Sequence, residues 1–275
     1  MNPFWRRRIF VGGASLAAAV AINLLLKWQF ERLGPSDFTS GYLLLAGVVF
    51  LTSYHWRKRF PFWPLGKVST WLQAHIYVAL ILCTVFWTHV GAWHVPQGTL
   101  ELLLYVFFLT VAASGIYGLV ITRRIPRRLA KLREEFVYER IIALRETVRR
   151  QAHGVVVGLA TEQDAPTICD FYLTRLVPFF DRPRGLWYYM RPTSRLRNAI
   201  HREIVDLQRY YSPEEKLASE TLTELVDRRD DMDYHDALQC QLKAWLFLHI
   251  GMTYGLLVLV AVHTVLVHAF HGGMR

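Results

Sequence analysis

Five long apolar runs constrain this chain more than any other feature of it. They cover residues 9–26, 41–54, 71–93, 100–121 and 244–270. A bilayer core of about 30 Å is crossed by roughly 20 apolar residues in a helix. A helix is required because no water is present there to satisfy unpaired backbone groups. The second run is short, and Phe38 and Trp56 extend it into the two interfaces, where Trp and Tyr belts are expected. The expected fold is all-α: an integral membrane bundle of five transmembrane helices with a helical cytoplasmic insert before the last span. Residues 1–122 hold spans one to four, 123–242 the insert, and 243–275 the fifth span with an outer tail. Arg6, Arg7 and Arg8 before an Ala-rich apolar stretch also fit a secretory signal, and we read the segment as an anchoring span.

Charge then sets the orientation. The formal net charge is +10. Residues 123–242 are nearly balanced, with 21 basic and 19 acidic side chains, so the excess lies beside the apolar runs. That placement argues for a membrane flank and against nucleic acid. One side carries Arg6, Arg7, Arg8, Arg57, Lys58, Arg59, Lys67, Arg123, Arg124, Arg127, Arg128, Lys131 and Arg133; the other carries Lys27, Arg32 and Arg275. Basic flanks stay in the cytoplasm. The expected location is the bacterial inner membrane, with the N-terminus and the insert cytoplasmic and the C-terminus periplasmic.

The insert reads as helical. Residues 127–157 form a charged amphipathic stretch. Asp164 with Pro166 marks a helix start, followed by an apolar face of Phe171, Leu173, Leu176 and Phe179. A loop carries Arg182-Pro-Arg-Gly and Arg191-Pro-Thr, and residues 194–211 form another helix. Ser212-Pro-Glu-Glu is a strong helix start, with Pro at the first helical position and Glu at the third. The helix it opens is expected to run without a break into the fifth span.

Cys83, Cys169 and Cys240 are too far apart for a zinc or iron–sulfur clip. A Cys-x-x-Cys-His is absent, which excludes covalent haem attachment.

Histidines carry the functional argument. His75 and His89 lie in the third span, His249 and His263 in the fifth, and each pair is separated by the same 14 residues. In an α-helix that separation is about four turns, within roughly 40° of one face and about 21 Å along the axis. Both spans run from inside to outside, so they are parallel. His75 then lies level with His249, and His89 with His263. Ionisable groups in spans are costly and mark function. One imidazole from each helix at each level suits the two axial positions of a haem iron, whereas zinc wants three or four protein ligands. The expected cofactors are two haem b groups stacked along the membrane normal, and the expected metal ligands are these four histidines.

This pattern resembles the di-haem core of the cytochrome b of bc complexes. It is also similar to the membrane domain of ferric reductases and NADPH oxidases, where the third and fifth spans carry the ligands. The resemblance covers the bundle and rests on the four histidines, which it implies are axial ligands. A Pro-Glu-Trp quinone-loop motif, a Gly-rich phosphate loop and a flavin or nicotinamide domain are all absent from the sequence. Neither quinol-cycle nor NADPH-oxidase activity therefore carries over.

Other residues complete the expectation. Gly47, Gly115, Gly118, Gly251 and Gly255 let a porphyrin, or simply a neighbouring helix, approach the backbone. Arg57, Lys67 and Arg123 are candidate partners for haem propionates. His94, His268 and His271 cluster at the outer end. His235 lies 14 residues before His249, and with His55 it leaves a third haem as an outside reading. His153 and His201 read as surface residues of the insert. The chain supplies haems and no visible substrate chemistry, so it is expected to be a transmembrane electron-transfer subunit of a larger oxidoreductase complex of a respiratory chain. Its expected partners are a periplasmic cytochrome on one side and a cytoplasmic iron–sulfur or flavin protein, or quinone, on the other, besides membrane lipid. Two alternatives stand beside it: a quinone-reactive cytochrome b subunit of a dehydrogenase or hydrogenase, and a haem-free transporter or signalling protein.

Overall fold

A computed structural model describes residues 3–33, 37–60, 66–91, 96, 98–132, 136–162 and 165–271, without the side chains of residues 3–11, 33, 58, 162 and 271. His94, Arg133, Asp164 and Arg275 lie outside the described residues, as do the side chains of Arg6, Arg7, Arg8, Lys58 and His271. Among the described residues the chain is helical and without strands. Ten α-helices run in order: α1 Pro3–Leu33, α2 Asp37–Arg59, α3 Val68–Val90, α4 Thr99–Leu129, α5 Ile141–Glu162, α6 Pro166–Phe171, α7 Val177–Asp181, α8 Leu186–Met190, α9 Arg195–Leu207 and α10 Pro213–His271.

Four of them are long and apolar enough to cross a membrane: α1 over Gly12–Arg32, α3, α4 and α10. The fifth apolar run falls in α2, whose 23 residues reach about 35 Å. Its ends are more polar, with Asp37, Thr39 and Ser40 at one and His55, Arg57 and Arg59 at the other.

The chain divides into two compact units, Met1–Ile116 with Leu248–Arg275, and Tyr117–Phe247. In the first, α3 packs against both α1 and α2. Asn23 of α1 joins α3 twice, donating to Thr84 Oγ1 at 2.9 Å and accepting from Thr88 Oγ1 at 3.0 Å. Phe50 stacks on Trp71, and Phe86 stacks on Phe108 with ring centroids 4.0 Å apart. Gly91 ends α3 at φ 85°, where its N–H bonds the Trp87 carbonyl at 3.1 Å. Only a residue without Cβ adopts that backbone at little cost.

The second unit is built around a core that includes Ile141, Ile168, Leu176, Ile200, Leu222 and Met232. The stretch 127–157 is not one helix. It breaks after α4, three residues beyond Pro126, and resumes through a 3-10 turn at Tyr138–Arg140 into α5. Pro126 lies inside α4, where it removes one ladder hydrogen bond and crowds the preceding turn. The apolar face after Pro166 also needs correction. Phe171, Leu176 and Phe179 are buried, but Leu173 is 65% exposed and Tyr172 takes its place inside. Two residues along a helix is about 200° of rotation, so Leu173 points away from Phe171. Residues Tyr172–Leu176 wind as a π-helical turn between α6 and α7.

At the start of α10, Ser212 Oγ accepts the Glu215 N–H at 3.2 Å, and Glu215 accepts the Ser212 N–H at 2.9 Å. This is the reciprocal capping box that Ser212-Pro-Glu-Glu encodes. Glu215 also accepts from the Ile168 N–H at 3.3 Å, tying α6 to the cap. The helix then runs for 59 residues without a break. Along its second turn-face in this unit, buried carboxylates meet arginines from three other segments. Asp233 contacts Arg145 of α5 at 2.7 Å, Arg184 at 2.7 Å and Arg229 at 3.3 Å. Arg197 of α9 lies within 3.7 Å of Asp227 and Asp230. His201 is half-buried 3.0 Å from Asp227, so it belongs to this network and not to the open surface.

Candidate functional site

The four span histidines all belong to the first unit, two on α3 and two on α10. His75 and His249 lie close enough for their charges to interact, and so do His89 and His263. Each level therefore offers two imidazoles from two different helices.

Side chains around the rings differ between levels. At one level, His249 Nδ1 is 3.2 Å from Ser114 Oγ on α4. Gly115 follows, and a Cβ there would lie 3.8 Å from His249 Cε1. His75 packs against the Tyr54 ring, with centroids 5.3 Å apart. The His75 Nδ1 is buried beside the Leu51 backbone without a hydrogen bond of normal geometry. At the other level, His89 Nδ1 is 2.8 Å from Ser40 Oγ on α2. A Cβ on Gly41 would come within 3.3 Å of His89 Cε1. Ser40, Gly41, Ser114 and Tyr54 carry no signal in the sequence, since nothing local links them to a histidine 21 to 135 residues away.

Several candidates are placed elsewhere. Gly47 faces Leu82, which a Cβ would overlap, and Gly255 faces Phe107, where a Cβ would come within 2.6 Å. Gly118 lies in the second unit, where a Cβ would overlap the Trp245 ring. Gly251 has open space around it. Arg57 is buried and donates to the Phe60 carbonyl at 3.3 Å and the Gly66 carbonyl at 2.8 Å. Arg123 is exposed in the second unit, and Lys67 precedes α3 as its N-cap. His55 meets the Tyr254 ring edge-on.

At the outer end by sequence, His268 Nδ1 is 2.8 Å from the Thr264 carbonyl. A carbonyl only accepts, so this nitrogen carries the proton. Tyr42 Oη then donates to His268 Nε2 at 2.6 Å, and Phe38 packs edge-on against the same ring. In the second unit, His235 is 8% exposed and lies against Phe136.

Two imidazoles per level, without a third His, Cys, Asp or Glu grouped among the described residues, are a poor cage for a bare ion. They suit a metal that brings its other ligands with it, as a porphyrin iron does. Gly41 and Gly115 let the backbones of α2 and α4 come close to the imidazole edges of His89 and His249. Comparison with known protein families, with curated protein sequences and with solved structures finds no match to this chain.

Proposed function

We propose that this chain is a transmembrane electron-transfer subunit whose five spans hold two b-type haems, one between His75 and His249 and one between His89 and His263. The observation that carries this reading is the pairing itself: His75 of α3 lies within electrostatic range of His249 of α10, and His89 of His263, in one helical unit. When bound, each haem supplies a one-electron iron couple. The residues of the chain do the rest. The imidazoles fix each ring plane, Ser40 and Ser114 orient two of them, and the apolar faces of α1, α3 and α4 exclude water from the interior. The 14-residue spacing sets the two levels about 21 Å apart along the helix axis.

The basic flanks support a topology with the N-terminus and the insert in the cytoplasm and the C-terminus in the periplasm of a bacterial inner membrane. The His75/His249 level is then the inner one. Electrons must enter and leave through partners: a periplasmic cytochrome outside, and an iron–sulfur or flavin protein or quinone inside. The insert, with its mixed charge, is the docking platform for the cytoplasmic partner. In the purified full-length protein, His75→Ala or His249→Ala is expected to remove the inner haem and keep the outer one, with His89→Ala or His263→Ala doing the reverse. Loss of the outer haem in His75→Ala contradicts the parallel arrangement.

One observation favours a quinone-reactive cytochrome as a second reading. The Tyr42–His268 hydrogen bond sets a phenol against an imidazole acceptor on a half-exposed face beside Phe38. Reduction of the haems by a lipid-soluble quinol, lost in Tyr42→Phe with both haems retained, separates this reading from a bare conduit.

A further inference from the structure

His89 meets a whole turn of α2. Ser40 Oγ lies 2.8 Å from its Nδ1. The same hydroxyl donates to the Asp37 carbonyl at 3.1 Å. A hydroxyl has one proton. With that proton on the carbonyl, the oxygen can only accept from His89. In that arrangement the ring carries its hydrogen on Nδ1 and leaves the lone pair on Nε2. Ser40 is 2% exposed, so no solvent competes for the contact. On the adjoining position, Gly41 lets the ring edge between the two nitrogens pass close to the α2 backbone, where a Cβ would stand at 3.3 Å.

We propose that Ser40 is a positioning residue for the outer haem. It fixes the tautomer and ring plane of His89 and, by accepting from Nδ1–H, makes Nε2 the stronger electron donor to a metal. This rests on the di-haem reading above. A histidine ligand whose other nitrogen donates to an acceptor is more basic, and such outer partners are worth about 10–100-fold in metal affinity. A more basic ligand favours the more highly charged, oxidised iron. Ser40 therefore holds the outer couple at a lower potential than His89 alone would set.

The test uses the full chain in lipid nanodiscs, with a redox titration of both haem bands and a low-temperature electron paramagnetic resonance spectrum. In Ser40→Ala the outer haem is expected to titrate at a higher potential, to show an altered low-spin signal and to be retained about tenfold less tightly. The inner haem should keep its potential, which also reports that the variant has folded. Ser40→Thr keeps the hydroxyl and should restore the outer signal. Gly41→Ala should disturb the same haem by pressing on the ring. Unchanged potentials and spectra in Ser40→Ala overturn the inference while leaving the di-haem reading intact. Equal shifts of both haems overturn it too, because the effect is then global. A wild-type chain that holds no haem overturns both.

Discussion

The two units use the same secondary structure, and both leave large apolar side chains exposed (Trp187 of the second is 81% exposed), but their interiors differ. In the first, large apolar side chains face outward: Leu25 is 64% exposed, Val265 68% and Phe270 72%. Its inward contacts include hydroxyls and imidazoles. In the second, Ile168, Leu176 and Val226 are completely buried, and carboxylates and guanidiniums are buried with them. An outward apolar surface is a liability in water and ordinary in lipid. Buried charge needs paired, hydrogen-bonded partners, and the arginines of α5, α9 and the loop before α8 supply them. A helix can thus serve either solvent, and only the distribution of its side chains tells which. The first unit turns hydroxyls and imidazoles toward one another between its helices; the second turns paired carboxylates and guanidiniums inward.

The largest expected effect breaks the first half of that contrast. His249→Ala should halve the haem content of the purified protein while amide hydrogen exchange in α9 stays as in the wild type. Slower or faster exchange across both units would mean the histidines are structural. Next comes the charge network. Asp233→Ala leaves Arg145, Arg184 and Arg229 facing an emptied site, and removing one partner of a buried ion group costs about 3–5 kcal/mol. Hydrogen exchange in the second unit should accelerate accordingly, with haem content unmoved.

The capping box sharpens the contrast at a smaller scale. Glu215→Ala removes the acceptor of two N–H groups, one of them buried, and should destabilise the second unit by about 1–3 kcal/mol. Ser212→Ala removes a single cap bond and should cost about 1 kcal/mol. The smallest effect is one of pH. Burial holds His235 below the ordinary imidazole range, with Asp236 opposing. The unfolded chain takes up this proton first, so the stability that His235 contributes is present above about pH 6.5 and is lost as pH falls below it. His235→Leu should flatten the pH dependence of exchange in the second unit between about pH 5 and 7.

Legibility followed distance along the chain. The capping box at Ser212 is a four-residue pattern, and it forms as read. The 14-residue spacing of the histidines needs only helix geometry, so the candidate rings were visible as well. Ser40 and Ser114 were not, because a hydroxyl finds an imidazole across helices and no spacing rule covers that. The carboxylates of α10 stood out in the sequence only as part of a balanced charge count. Their burial depends on Arg145, Arg184 and Arg197, which approach from 30 to 90 residues away. Leu173 was misplaced for a local reason, since alternate residues on a helix face opposite ways. The polar ends of α2 made its run the shortest of the five, and Ser40 at one of those ends is the residue that meets His89.

The central claim is two haems in the first unit. A reduced-minus-oxidised visible spectrum with haem extraction from the purified full-length chain tests it most directly. The account predicts a b-type α-band and two non-covalently bound haems per chain. A protein that folds, holds its helices and shows no α-band would contradict it.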